Sequence, residues 1–258
     1  MLSLPKRVKI LGIPVDCVDM ARALDQVRAL ASGNRAGCIL AVNPEKVIAA
    51  QSEPVLRRAL ENAALLIPDG IGVVWAVRLL WKEHIARVPG AELMPAICAA
   101  SAAEGYRLFL FGASEEVNAQ AVAELQREHP GIGIVGRHHG YVNEAGMAAV
   151  IDAINRSGAN VLFVALGSPK QELWMEKYLP QLPGIRVCQG VGGTFDVIAG
   201  RIRRAPLAVR RVNLEWFYRL LTQPQRALRQ AAIPRFAWQV ARAWLARPSQ
   251  PAPGANGG

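Results

Sequence analysis

Short apolar runs alternate with segments of helical periodicity through most of this chain. Helices are predicted over residues 19–31, 53–62, 71–80 and 91–104, with others starting near Ser114, Asn143 and Pro169. The runs of strand length are Val8–Ile10, Ile13–Val15, Cys38–Val42, Ala64–Ile67, Leu108–Phe111, Ile132–Val135, Val161–Leu166 and Ile185–Val187. Such alternation predicts an α/β fold, a Rossmann-like parallel sheet core with flanking helices.

Polar and glycine-rich breaks follow most of the predicted strands. In parallel α/β sheets, ligands bind beyond the carboxyl ends of the strands, so these breaks predict one shared site. The breaks are Asn43, Asp69-Gly70, Gly112-Ala113-Ser114, Gly140-Tyr141, Gly167 to Gln171 and Val191 to Asp196.

Three of these breaks carry glycines suited to a phosphate or a sugar. Gly112 and Gly167 each stand between a strand and a helix, where backbone N–H groups can face a phosphate. The alternative is a tight turn that needs glycine. Gly192-Gly193 allows a ligand to approach the backbone, and Asp196 can bond a ribose or sugar hydroxyl.

Asp69 is a candidate general base, because it follows a strand directly and precedes a glycine. The alternative is a helix N-cap. Arg87, in the segment Arg87-Val88-Pro89-Gly90, is a candidate for bidentate binding of a diphosphate, or else a surface arginine. Lys170-Gln171-Glu172 opens a helix beside a possible anion site. The alternative is that these polar side chains only solvate the first turn of the helix.

The formal net charge of +10 arises from the C-terminal part of the chain. From residue 201 onward there are eleven arginines, one glutamate and no lysine or aspartate, whereas acids and bases balance before it. The same part holds Trp216, Phe217, Phe236, Trp238 and Trp244. Arginine with tryptophan predicts a helical appendage that binds an anionic membrane surface.

Two other classes compete with a membrane-associated enzyme. An arginine-rich arm also attracts nucleic acid, but the chain carries no known nucleic-acid motif, so we expect no nucleic-acid partner. The third class is an α/β scaffold whose tail helices mediate oligomerisation. An exposed apolar appendage also favours a homo-oligomer away from the membrane.

The predicted organisation is a catalytic domain over residues 1–200, a cationic appendage over 201–247 and a disordered tail over 248–258. No uncharged apolar run reaches the length of a membrane span, and the first residues lack the apolar segment of a signal peptide. The four cysteines form no Cys-x-x-Cys pair, which predicts reduced thiols. We therefore expect a peripheral protein on the cytoplasmic face of the membrane.

Metal and cofactor signals are weak. His138-His139 has no third ligand in a recognisable pattern, and the chain contains no Asp-x-Asp motif of the kind that holds a divalent ion in many nucleotide-sugar enzymes. We expect catalysis without metal or cofactor.

Taken together, the segments resemble the WecG/TagA/CpsF glycosyltransferases, family 26 of the sequence classification. The resemblance covers about residues 8 to 232. The matching segments are Asn43 to Lys46, Pro68 to Val73, Arg87 to Gly90, Leu108 to Gly112, Gly167 to Glu172, Val191 to Asp196, Gly200 to Pro206 and Leu214 to Leu220.

The resemblance implies an inverting enzyme that moves a sugar from a UDP-sugar onto an undecaprenyl-diphosphate-linked sugar, in bacterial surface or secreted polysaccharide synthesis. Asp69 would be the general base and Asn43 would orient a sugar. Arg87 and Gln171 would lie near diphosphate and sugar. The nucleotide-sugar site would also include Gly112, Tyr141, Gly167, Gly192, Gly193 and Asp196. Arg219, Arg226 and Arg229 would belong to the membrane-binding appendage and close over the site.

One position departs from the family pattern. Ala41 stands where members often have threonine, two residues before the asparagine. A hydroxyl contact is therefore missing, and the donor expected is an N-acetylmannosamine-type sugar, its uronic acid, or glucose.

Overall fold

The computed structural model describes residues 3–202, 205–206, 209, 217–218 and 231–246. The strands are β1 (Arg7–Ile10), β2 (Ile13–Asp16), β3 (Gly37–Val42), β4 (Leu65–Pro68), β5 (Leu108–Gly112), β6 (Ile134–His138), β7 (Val161–Ala165) and β8 (Val187–Gly190). The helices are α1 (Met20–Ala31), α2 (Pro44–Ala49), α3 (Pro54–Glu61), α4 (Ile71–Trp81), α5 (Gly90–Glu104), α6 (Glu115–Glu128), α7 (Glu144–Ser157), α8 (Lys170–Tyr178), α9 (Thr194–Ile198) and α10 (Ala232–Leu245). A 3₁₀ turn, Leu179–Gln181, follows α8.

Six parallel strands form the central sheet, in the order β4-β3-β8-β7-β5-β6. β1 and β2 form a separate antiparallel hairpin, as predicted. The predicted α/β class, a parallel sheet flanked by helices, is confirmed.

Alternating side chains of each strand enter different cores on the two faces of the sheet. In β3, Leu40 and Val42 face one core, while Ile39 and Ala41 face the other. The first core is covered by the hairpin, α2, α3, α4, α7, α8 and α10, and the second by α1, α5, α6 and α9. Because described elements cover both faces, the carboxyl ends of the strands are where we expect a ligand to reach the sheet.

Polar side chains cap the N-termini of four helices in the described part of the chain, and one of them, Asn43 of α2, belongs to the candidate site. Asp19, Ser114 and Asn143 accept hydrogen bonds from the backbone N–H groups of Arg22, Val117 and Gly146, the third residue after each. The predicted helix starts at Ser114 and Asn143 are confirmed.

The predicted limits of two strands were wrong. β6 was predicted over Ile132–Val135 but runs from Ile134 to His138, because an edge strand accepts half-exposed polar residues such as Arg137 and His138. β8 begins at Val187 and continues through Gln189, which is fully buried despite its polarity. The short helices α2 and α9 were not predicted at all.

The helix α10 packs against α2 and α4 through buried Phe236 and Val240. Gln239 on α10 also exchanges hydrogen bonds with Gln51, the shorter being 2.6 Å. Within the described residues, no helix is long and apolar enough to cross a membrane.

Candidate active site

The predicted site residues follow strands that all point in one direction, so the loops carrying them meet at one edge of the sheet. The spatial order of the strands sets the order of these loops along the edge, which differs from their order in the chain. From β4 to β6 the loops carry Asp69, Asn43, Gly192 with Gly193 and Asp196, Gly167 with Gln171, Gly112, and Tyr141.

Asn43 and Asp69 follow neighbouring strands and lie side by side. The Asn43 side chain caps α2, its Oδ1 accepting a hydrogen bond from the Lys46 backbone N–H at 2.9 Å. The Asp69 backbone N–H donates to the Val42 carbonyl at 2.9 Å. A Cβ added at Gly70 would lie 3.8 Å from the Asn43 Cβ, so the two loops are in contact.

The Asp69 side chain is half-buried and held by the segment that leads into α5. Its Oδ2 accepts a hydrogen bond from the Gly90 backbone N–H at 3.3 Å. The Val88 N–H donates to the Pro68 carbonyl at 2.8 Å, which fixes the segment carrying Arg87 against the end of β4. Gly70, not Asp69, occupies the N-cap position of α4. The carboxylate of Asp69 is therefore presented at the strand end.

Gln171 is buried and supports the loop after β8. Its Oε1 accepts a hydrogen bond from the Gly192 N–H at 3.0 Å, and its Nε2 donates to Glu172 Oε1, also at 3.0 Å. A Cβ added at Gly190 would lie 2.6 Å from Gln171 Nε2, so only glycine leaves room for this amide. A sugar-binding role for Gln171 stays a prediction.

The sequence did not reveal that Glu172 is buried. Solvation of a helix first turn was one interpretation of this segment, but Glu172 is fully buried and pairs with Lys46 of α2 at 2.7 Å. The signal available was spacing: Glu172 lies three residues before buried Met175, which places the two side chains on neighbouring parts of one face of α8.

The glycines at the strand ends differ in what surrounds them. At Gly112, with φ of 127°, a Cβ would lie 2.4 Å from the Ala165 carbonyl oxygen, so close packing of β5 on β7 requires glycine there. At Gly167 and Gly192, with φ of 75° and 54°, a Cβ would meet no heavy atom of the described residues within 4 Å. Among the described residues, nothing fills the space next to these two backbones, which leaves room for a ligand.

The remaining predicted residues line the same edge. Tyr141 is highly exposed, and its N–H donates to His139 Nδ1 at 3.2 Å. Gly193 is the N-cap of α9, and Asp196 lies half-buried in its first turn. Arg219, Arg226 and Arg229 lie outside the described residues. In the part of the chain that the structure describes, no group of three or more metal-ligating side chains was found.

The sequence profile of the glycosyl transferase WecG/TagA/CpsF family matches residues 8–250 of the chain. The chain belongs to the WecG/TagA/CpsF glycosyltransferase family. This membership confirms both the family and the enzyme class expected from the sequence segments. A relative of the family in Bacillus spizizenii (strain ATCC 23059 / NRRL B-14472 / W23) is 37% identical over 207 residues, which cover 80% of this chain and 79% of the relative. That relative is named N-acetylglucosaminyldiphosphoundecaprenol N-acetyl-beta-D-mannosaminyltransferase.

In this family member, α10 lies next to the loops of Asn43 and Asp69. A Cβ added at Gly72 would lie 3.0 Å from Pro44 Cγ and 3.7 Å from Phe236 Cε1. The outer face of α10 exposes Trp238, a residue that is 60% exposed, and the guanidinium carbon of Arg242 lies over its ring, 5.5 Å from the ring centroid. On α4, which contacts α10, Trp75 is 66% exposed. Aromatic and cationic side chains therefore lie on helices adjoining the candidate site.

Proposed function

We propose that this glycosyltransferase transfers N-acetylmannosamine from its UDP conjugate onto N-acetylglucosamine linked to undecaprenyl diphosphate. The observation that carries the proposal is the placement of Asp69 beside Asn43, on the edge that also holds the open glycines after β7 and β8. The name of the Bacillus spizizenii relative supports this donor and acceptor, since its alignment spans most of both chains. UDP-glucose and the UDP conjugate of N-acetylmannosaminuronic acid are the alternative donors, and a test with all three UDP-sugars distinguishes them.

The role proposed for Asp69 is that of general base. Its carboxylate takes the proton of the acceptor hydroxyl while that oxygen bonds to the anomeric carbon. The bond from the anomeric carbon to the β-phosphate breaks, and UDP leaves with the electron pair. Attack from the opposite face inverts the anomeric centre. The Gly90 N–H at Oδ2 restricts the orientation of the carboxylate, which positions it for this transfer.

The leaving diphosphate requires positive charge and N–H donors as it gains charge. Arg87 is held near the end of β4 by the Val88 bond and has the planar donor geometry that a diphosphate fits. The open backbones of Gly167 and Gly192 allow the nucleotide to approach closely. We propose that Arg219, Arg226 and Arg229 also neutralise the leaving diphosphate, as the family resemblance implies.

We also propose that the enzyme binds the anionic cytoplasmic face of the membrane peripherally. A lipid-linked acceptor requires the site to lie close to a bilayer. The Arg242–Trp238 pair on α10 and the net charge of +10 match the chemistry of an anionic interface.

The test measures UDP release from a panel of UDP-sugars, using a short-chain lipid diphosphate carrying N-acetylglucosamine as acceptor. Acceptor-dependent release with UDP-N-acetylmannosamine is expected, unchanged by EDTA. Asp69→Asn is expected to reduce kcat by about 10²–10⁴-fold. The matched control is Asp152→Asn, which makes the same chemical change at an exposed aspartate of α7 that pairs with Arg156.

Faster UDP release from UDP-glucose than from UDP-N-acetylmannosamine would show that glucose is the sugar transferred, and the enzyme would still be a glycosyltransferase. Full turnover by a folded Asp69→Asn protein would remove the assignment of the base.

A further inference from the structure

A buried ion pair connects the two halves of the candidate site. Lys46 Nζ of α2 lies 2.7 Å from Glu172 Oε1 of α8, and the two side chains are 8% and 0% exposed. Lys46 belongs to the helix that Asn43 caps, while Glu172 is adjacent to Gln171, which holds Gly192. The pair therefore joins the helix after β3 to the helix after β7, and Gln171 of that second helix holds the loop after β8.

Stability alone does not account for this pair. Replacing a buried ion pair by well-packed apolar residues is often neutral or stabilising, because both charges must lose their hydration. Glu172 Oε2 is also buried and makes no hydrogen bond to any residue that the structure describes. A carboxylate that is buried at such a cost in stability indicates a role other than stabilising the fold.

That role follows from the hydrogen bonds of Glu172 Oε1. This oxygen accepts both from Lys46 and from Gln171 Nε2, the latter at 3.0 Å. A carboxylate only accepts, so it requires the NH₂ end of the Gln171 amide to face it. The amide oxygen must then face Gly192, whose N–H it accepts at 3.0 Å. The charge of Glu172 thus fixes which way the Gln171 amide points.

We propose that Glu172 is a positioning residue, which acts through Gln171 on the Gly192 turn and through Lys46 on the helix capped by Asn43. Glu172 thereby keeps the Gly192 turn at a fixed distance from the Asn43 loop, so that the donor sugar and the acceptor hydroxyl are held in position to react. The part of this inference that concerns turnover rests on the proposed function; the part that concerns Gly192 does not.

The test replaces both charges together, with Lys46→Met and Glu172→Met in one protein, so that neither charge is left unpaired. The matched control is Arg58→Met with Glu176→Met, which removes an exposed ion pair between α3 and the same helix α8. Amide exchange at Gly192 reports the Gln171 bond without any substrate. Transfer from UDP-N-acetylmannosamine reports the consequence for catalysis.

The expected result is that the protein carrying Lys46→Met with Glu172→Met folds and that its Gly192 amide exchanges at least about 10-fold faster, while exchange in β7 is unchanged. Its kcat/KM should fall by about 10- to 100-fold, the range of a lost hydrogen bond to a charged group. The control should match the wild type in both measurements. Wild-type exchange at Gly192 together with wild-type kcat/KM would overturn the proposal.

A conservative variant keeps the proposal testable if the double methionine protein does not fold. Lys46→Met with Glu172→Gln keeps the size of the side chain at 172 but replaces the carboxylate, which only accepts, by an amide that can present either end to Gln171. Exchange at Gly192 is therefore expected to be faster than in the wild type. Exchange at Gly192 as slow as in the wild type, measured on this folded variant, would overturn the proposal. If the wild type itself transfers no sugar, the proposed function fails, and the exchange data still decide the role of Glu172.

Discussion

Alanine in place of Gly167 or Gly192 tests whether a ligand approaches the backbone at these two strand ends. The two residues have φ of 75° and 54°, and an added Cβ meets no heavy atom of the described residues within 4 Å. The folded protein therefore bears only the conformational cost of a left-handed alanine, about 1–2 kcal/mol. Such a loss leaves a domain of ordinary stability folded.

Gly105 supplies the matched control for these substitutions. It has φ of 68°, a Cβ there also meets nothing in the described residues within 4 Å, and it ends α5 at the opposite edge of the sheet. Gly105→Ala should have the same cost in stability. The three variants should therefore unfold at temperatures lowered by similar amounts, about 2–8 °C.

Only Gly167→Ala and Gly192→Ala should bind UDP more weakly than the wild type. A methyl group in a space that the nucleotide occupies is expected to weaken UDP binding by about 10-fold or more, the cost of moderate overpacking. Calorimetric titration with UDP measures this directly, alongside thermal unfolding of each variant. Affinities for UDP in Gly167→Ala and Gly192→Ala equal to that of Gly105→Ala would refute the argument that these glycines leave room for a ligand.

Three further predictions concern the fold. Phe236→Ala should weaken the packing of α10 by about 3–5 kcal/mol and speed amide exchange in that helix, and exchange no faster than in the wild type would contradict its docking role. Asp16→Asn should lower the free energy of unfolding by about 3 kcal/mol in urea, because buried Asp16 accepts from the Arg7 guanidinium and from the Leu66 N–H; an unchanged midpoint would contradict this. Burial raises the pKa of the Cys98 thiol from 9.0 to about 12, so above pH 9 the unfolded chain loses this proton while the folded protein keeps it. Stability should then fall by about 1.4 kcal/mol per pH unit more than in Cys98→Ala, and equal slopes in urea melts at pH 8 to 11 would disprove the effect.

Local patterns predicted most strands and the larger helices because each depends on residues close in sequence. Runs such as β5 and β7 are apolar throughout, and side chains such as Ser114 cap the helices that follow them. The end of β8 was missed because Gln189 is polar, yet it is buried within the sheet. The helix α2 was missed because its six residues are too few to show a helical period.

The site was predicted as a set of strand ends, but the contacts within it were not. The order of strands places Asn43 between Asp69 and the Gly192 loop, and no local signal specifies that order. The bond from Gln171 to Gly192 and the burial of Glu172 depend on this long-range pairing. The sequence likewise does not distinguish Gly112, where close packing requires glycine, from Gly167, where an added Cβ would meet no described residue.

The most direct test of the proposed reaction is analysis of the lipid product formed from UDP-N-acetylmannosamine and the N-acetylglucosamine-bearing lipid diphosphate. Mass spectrometry and NMR of that product report the added sugar and its anomeric configuration. The account predicts one added N-acetylhexosamine in β linkage, formed by the wild type and absent with Asp69→Asn. An α-linked product, or an equal yield from the folded Asp69→Asn protein, would contradict it.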